Sequence, residues 1–179
     1  ICKIDSKSLS VLHSGSVRLG FVGAMLEPDS MTYFPMLEDH LVMCTANNPH
    51  YQALKKQNVY GRDLLREPTV AREEGSGTDR TVQSYMRNMG LADQDLHIVA
   101  RVDDPEAIKR MTAQGVGVSV LSALSVASEV DDGRLLTFPM DPQGLHRSIY
   151  LVYPRETILS QSEQAFVRFC RQMAIRRNL

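Results

Sequence analysis

"TVAREEGSGTDRTVQSYMRNMGLADQDLHIVARV", residues 69–102, decides the fold class of this chain. Thr69 to Glu73 and Leu96 to Val102 are β-rich runs bounded by turn or cap residues. Between them Val82, Tyr85, Met86 and Met89 fall at i, i+3, i+4, i+7, the stripe of a helix, and Gly90 is its stop signal. Strand, helix and strand joined by short links form a right-handed βαβ unit, which predicts a largely parallel sheet. In such sheets ligands bind outside the carboxyl ends of the strands, where helix N-termini point. The loop "EEGSGTD" (Glu73 to Asp79) stands at that place.

Working outward, the same alternation continues. "VRLGFVG" (Val17 to Gly23), "VGVSVL" (Val116 to Leu121), "LLTFPM" (Leu135 to Met140) and "SIYLVY" (Ser148 to Tyr153) read as strands. "MTYFPMLEDHLVMCTA" (Met31 to Ala46) reads as two strand-like runs separated by Glu38-Asp39. In "DDPEAIKRMTAQG", Asp104 is a good N-cap and Pro105 takes the first helical position. Ala107, Ile108 and Met111 form the expected buried face, and Gly115 ends the helix. Ser160 to Glu163 is a capping box, and behind it Phe166, Phe169, Cys170 and Met173 repeat the helical spacing expected of core packing. The polar strand ends and helix starts of this pattern are Asp5-Ser6, Gly23-Ala24, Gly75 to Thr78, Asp103-Asp104 and Ser122.

Composition narrows the function classes. The chain has 179 residues, enough for one domain or two small lobes, and a chain of this size buries roughly 70% of its unfolded surface. A 43% hydrophobic and 23% charged content is that of a globular protein, and a net charge of −1 gives no electrostatic footprint for nucleic acid. The basic pairs Lys55-Lys56 and Arg176-Arg177 read as solvated surface. Three widely spaced cysteines, Cys2, Cys44 and Cys170, read as reduced thiols. No signal-peptide pattern opens the chain and no apolar run approaches a membrane span, so a cytoplasmic location is expected.

The chemical motifs exclude more than they assign. Gly75-Ser76-Gly77-Thr78 has no Lys and is too short for the G-x-x-x-x-G-K-[ST] phosphate loop. "GVGVSV" from Gly115 lacks the third Gly of a dinucleotide fingerprint and runs into a strand. There is no G-x-S-x-G elbow. His13, His40, His50, His97 and His146 show no metal-ligand spacing, so no metal and no cofactor is expected. Glu73 and Glu74 are adjacent on an extended segment and point to opposite faces, which makes a poor catalytic pair. What remains for the loop is either a plain capped turn or an anion site, in which the Ser76 and Thr78 hydroxyls join the backbone N–H groups of the helix start.

Several stretches, taken in order and spacing, resemble the effector-binding domain of LysR-type transcriptional regulators. They are "LREPTVAREEGSGTDRTVQSYMRNMGL", "VDDPEAIKRMTAQGVGVSVLSALSVASEVDDGRLL", "IYLVYP" and "LSQSEQAFVRFCRQM". The first part is similar too. "DSKSLSVLHSGSVRLGFVGA" follows the family's helix and strand, with Arg18 at the usual Asp of that strand's motif. "FPMLEDHLVMCTANNPH" follows its hinge strand.

The resemblance implies an α/β fold of two Rossmann-like lobes joined by two hinge strands, like type 2 periplasmic binding proteins. Lobe one would be residues 1–37 and 143–179, and lobe two residues 38–142. It implies a small effector, often anionic, held in a cleft between the lobes by Ser6, Gly75, Ser76, Gly77, Thr78, Asp103, Asp104 and Ser122, with no catalysis. Ser122 stands where the family often has Pro, and two aspartates at a helix start are unusual for an anion site. The resemblance further implies a homodimer or tetramer formed through Thr78 to Met89 and Leu96 to Val102. DNA would be contacted only through a winged helix-turn-helix that, with the first strand and helix of lobe one, would precede Ile1. A solute-binding protein of transport, or an enzyme such as a dehydratase or transferase on the same fold, are the alternatives. The missing signal peptide weighs against the first, and the lack of an acid/base or nucleophile constellation against the second.

Overall fold

The computed structural model describes residues 11–177, and the chain divides into two compact units. The first comprises Ile1–Glu38, Gly75–Gly77 and Arg147–Leu179. The second comprises Asp39–Glu74 and Thr78–His146. Ser6 lies outside the described residues.

In the first unit, β1 (Gly20–Val22) pairs antiparallel with β7 (Leu145–Pro154), Gly20 facing Val152. On its other side β7 neighbours β2 (Met31–Ala46). Leu12, Val22, Met31 and Val152 close one face of this small sheet, and Leu151, Val167 and Cys170 close the other. The last two come from the C-terminal helix Gln161–Arg177. Its capping box is formed as the sequence predicts: the Glu163 N–H donates to Ser160 Oγ at 3.3 Å and the Ser160 N–H to Glu163 Oε2 at 2.7 Å. Arg18 holds the same turn, with Nε 2.7 Å from Glu163 Oε1 and a further hydrogen bond to the Ile158 carbonyl.

The buried stripe of this helix shares only Cys170 with the predicted one. Val167, Cys170 and Ala174 face inward, while Phe166, Phe169 and Met173 are exposed, Phe169 by 58%. Both sets fit helical spacing. Periodicity gives a stripe but does not say against which face the sheet lies.

In the second unit, the C-terminal half of β2 is flanked antiparallel by β5 (Ser119–Ser122) and β6 (Leu135–Pro139). A parallel pair, β3 (Thr69–Arg72) and β4 (Ile98–Val102), continues from a single bridge between Thr69 and Val118. That bridge explains Gly117. A Cβ there would lie 2.9 Å from the Pro68 carbonyl carbon, where the two backbones approach to bond Val118 N–H to Pro68 O at 2.7 Å. Residues 11–13 are helical, and the helices lying wholly within the described residues are, in chain order, α1 (Pro49–Lys56), α2 (Gly77–Asn88), α3 (Pro105–Ala113), α4 (Ala127–Asp131) and the C-terminal helix, α5. The strand-and-helix reading of the sequence passes over α1, which Asn48 caps by accepting from Tyr51 N–H ahead of Pro49. Leu41, Met43, Val118, Phe138 and Met140 centre one core cluster, and Cys44, Val70, Ile108, Leu121 and Leu135 another. Burial pushes the Cys44 thiol up to about 12, and neither Cys44 nor Cys170 is in a disulfide.

Two predictions about the strands need correction. Among the described residues the pairing is mixed: β1 with β7, β2 with β5 and β2 with β6 are antiparallel, whereas β3 with β4 and the Thr69–Val118 bridge are parallel. Short βαβ units explain only the parallel part, because β2 and β7 are not joined by a single helical crossover. The two runs around Glu38-Asp39 are one 16-residue strand. Asp39 does not break it, since its carboxylate is buried and accepts from the Ser122 hydroxyl at 2.6 Å.

Candidate functional site

The loop after β3 is built by its glycines. Gly75 has φ +77°, the left-handed region open to Gly at little cost, and this turn aims the chain into the first turn of α2. Gly77 opens that helix at a point of close approach. A Cβ on it would lie 3.2 Å from Gly23 Cα and 3.5 Å from Arg147 Nη1, and a Cβ on Gly23 would lie 3.0 Å from the same Nη1. Two side-chain-free positions thus admit the Arg147 guanidinium beside the start of a 12-residue helix. A helix N-terminus and a guanidinium both favour negative charge. Ser76 and Thr78 are both buried.

Sequence reasoning singled out Gly75 to Thr78 but missed Arg147. A lone Arg on a late strand carries no motif. The available signal was Gly23, a small residue at a strand end, as the partner needed for a second close approach.

The acidic residues around the loop are spoken for by two arginines. Glu73 receives both Arg72 Nε and Nη2, at 2.7 and 2.6 Å. Arg101 Nη1 donates to Asp79 Oδ1 at 3.2 Å, and its Nε lies 3.8 Å from Glu74 Oε1. Asp79 also accepts from Gln83 Nε2 at 3.0 Å. Glu73 and Glu74 therefore serve different arginines, as opposite faces of an extended segment require. Arg72, Asp79, Gln83 and Arg101, with Thr69 and Thr78, form the polar part of a small cavity of about 40 Å³ under α2. Val82, Leu96, Ile98 and Val120 give most of its apolar surface.

The other candidates are separate features of the second unit. Asp104 accepts from Glu106 N–H at 3.1 Å and Ala107 N–H at 3.2 Å, so its two carboxylate oxygens cap α3. Asp103 is exposed beside it. Ser122 gives its hydroxyl to Asp39, as above. Behind α3, Lys109 bridges Glu106 at 2.8 Å and Glu129 at 3.0 Å. Burial alone would discharge both Lys109 and Glu129. Hydrogen bonds to Glu106 and then Glu129 outweigh it for the lysine, holding it above its ordinary range, and the bond from Lys109 leads those that hold the Glu129 carboxyl below its own.

Three comparisons bear on this arrangement. The model of the LysR substrate binding domain matches residues 4–174. Among curated proteins, the phosphonates import ATP-binding protein PhnC of Anaeromyxobacter dehalogenans is 27% identical over 168 residues, which is 93% of this chain and 33% of that protein. The HTH-type transcriptional activator CmpR of Synechocystis is 28% identical over 133 residues, 74% of this chain and 42% of its own length. The chain thus spans well under two thirds of these relatives. Among solved structures, the regulatory domain of Synechocystis PCC6803 CcmR in complex with 2-PG superposes with a TM-score of 0.80 at 24% identity, covering 95% of this chain and 79% of that one.

Proposed function

Since this chain belongs to the LysR substrate binding domain family, we propose that it is the effector-sensing portion of a LysR-type transcriptional regulator and that its effector is a small anionic metabolite. The observation that carries the choice of an anion is the Arg147 guanidinium seated against Gly23 and Gly77 at the start of α2. The CcmR regulatory domain, of the same fold, is bound to 2-PG, which supports a small-molecule role for this chain.

On this reading Gly75, Ser76, Gly77 and Thr78 hold the charged group of the effector, and Ser6, Asp103, Asp104 and Ser122 complete the site. The lobes are residues 1–37 with 143–179, and 38–142. The chain performs no catalysis. It works in the cytoplasm as a homodimer or tetramer through Thr78 to Met89 and Leu96 to Val102, and reaches DNA through a helix-turn-helix belonging to a longer protein. Effector binding acts on DNA only if the effector binds two states of the regulator with different affinity.

The test is calorimetry of the purified chain against a panel of small carboxylates and phosphates, 2-PG included, to find a binder. Ser76→Ala with Thr78→Ala removes two hydroxyls worth roughly 0.5–1.5 kcal/mol each as hydrogen-bond partners. Affinity for that binder is expected to fall on the order of tenfold, with far-UV circular dichroism unchanged. Arg147→Met is expected to weaken it further and to abolish the preference for anions. Equal affinity in the parent and both variants overturns the site.

A further inference from the structure

Among the described residues, two buried side-chain hydroxyls, Thr112 Oγ1 on α3 and Ser119 Oγ on β5, make no hydrogen bond with another protein group. Both residues are 0% exposed. Burying a hydroxyl without a partner is costly, and buried polar atoms are almost always paired with protein or with ordered water.

The topology brings the two hydroxyls to one layer. β3 and β4 are parallel, and the Thr69–Val118 bridge makes the start of β5 parallel to β3. Helix α3 is therefore a crossover between parallel strands and runs opposite to β5. Ile108 of α3 and Leu121 of β5 lie in one buried cluster with Cys44. Thr112 stands one turn beyond Ile108, about 6 Å along the helix and on the same side. Ser119 stands two residues before Leu121, about 6.6 Å back along the strand and on the same face. Because the two elements run in opposite directions, Thr112 comes level with Ser119 as Ile108 does with Leu121. Cys44 is opposite Ser119 in the β2–β5 register, so its thiol borders the same spot as a weak third partner.

Two hydroxyls and a thiol match the two to four polar partners that a buried water needs. Neutral hydroxyls among apolar side chains do not compensate a buried ion, so the ligand must be neutral. We propose that Thr112 and Ser119 form a binding site for one ordered internal water molecule, which bridges the last turn of α3 to the start of β5. The site lies within the second unit and uses no residue of the effector loop.

Two measurements on the 179-residue chain test this. A crystal structure fine enough to show ordered solvent is expected to hold a water within hydrogen-bond distance of both hydroxyls. Urea unfolding of Thr112→Val and Ser119→Ala, both close in shape to the parent side chains, gives the second readout. Each single change strands the water and is expected to lower the folding constant on the order of tenfold. The double variant is expected to fall no further than the weaker single one, because both hydroxyls serve one water. The opposite sign marks hydroxyls that are simply unsatisfied, since removing such a group relieves its burial cost. A dry site in the crystal, either single variant at least as stable as the parent, or additive losses in the double variant overturns the proposal.

Discussion

The Ser122 hydroxyl donates a 2.6 Å hydrogen bond to Asp39 Oδ1, tying the end of β5 to the middle of β2. The carboxylate is 2% exposed, so whatever satisfies it must come from the protein.

Ser122→Ala is therefore expected to cost about 1–3 kcal/mol, the penalty of depriving a buried charged acceptor of one donor. Urea unfolding checks it, and the m-value should not change. Ser122→Ala combined with Asp39→Asn should recover part of the loss, since the neutral amide needs the donor less.

The Lys109–Glu129 pair contributes to the pH dependence of the second unit's stability. Glu129 is held below its ordinary range when folded, so the stability it gives is present above the ordinary glutamate pKa and is lost as pH falls through the lowered value. Lys109 is held above its range, so its contribution is present below the ordinary lysine pKa and is lost as pH rises through the raised value. Lys109→Met leaves a buried carboxylate behind. Its cost is expected near the lower end of about 3–5 kcal/mol, because Arg134 Nη2 still lies 3.6 Å from Glu129. In the variant the Glu129 carboxyl titrates higher, so melting temperature measured from neutral to acid pH should converge with the parent.

Gly117→Ala forces a methyl group against the Pro68 carbonyl, where backbone and not a flexible side chain must give way. The Thr69–Val118 bridge is expected to open. Hydrogen exchange at Val70 N–H, bonded to Val118 O at 2.8 Å, should accelerate before that of Met43 in β2. Equal protection of both amides in the variant and the parent contradicts this account.

What was legible in the sequence was what local chemistry dictates. Asp104 with Pro105, and Ser160 with Glu163, announce helix starts because a side chain must satisfy free N–H groups there, and both caps are formed. The β-rich runs each hold a strand, with ends shifted by a few residues. What was not legible depends on partners far along the chain. Phe166 and Phe169 looked like core until the sheet took the Val167 side of the helix. Asp39 looked like a strand break until Ser122, 83 residues away, met it. Arg147 acquires meaning only once Gly23 and Gly77 make space for it.

The interleaving of the two units bears on how the chain is synthesised. Unit two is drawn almost wholly from one continuous stretch, Asp39 to His146, with a three-residue excursion at Gly75–Gly77, whereas unit one is begun before it and finished after it. On a ribosome, β1 waits for its partner: Gly20 is paired with Val152, made more than a hundred residues later. Domains generally fold as units while the chain is made, N-terminal parts first. Between these two units that order is inverted, because the unit begun first is the last to be completed. A nascent chain stalled before residue 147 has the whole of unit two available and only half of unit one. Its unpaired β1 and the Met31–Glu38 half of β2 are the segments for a chaperone to shield.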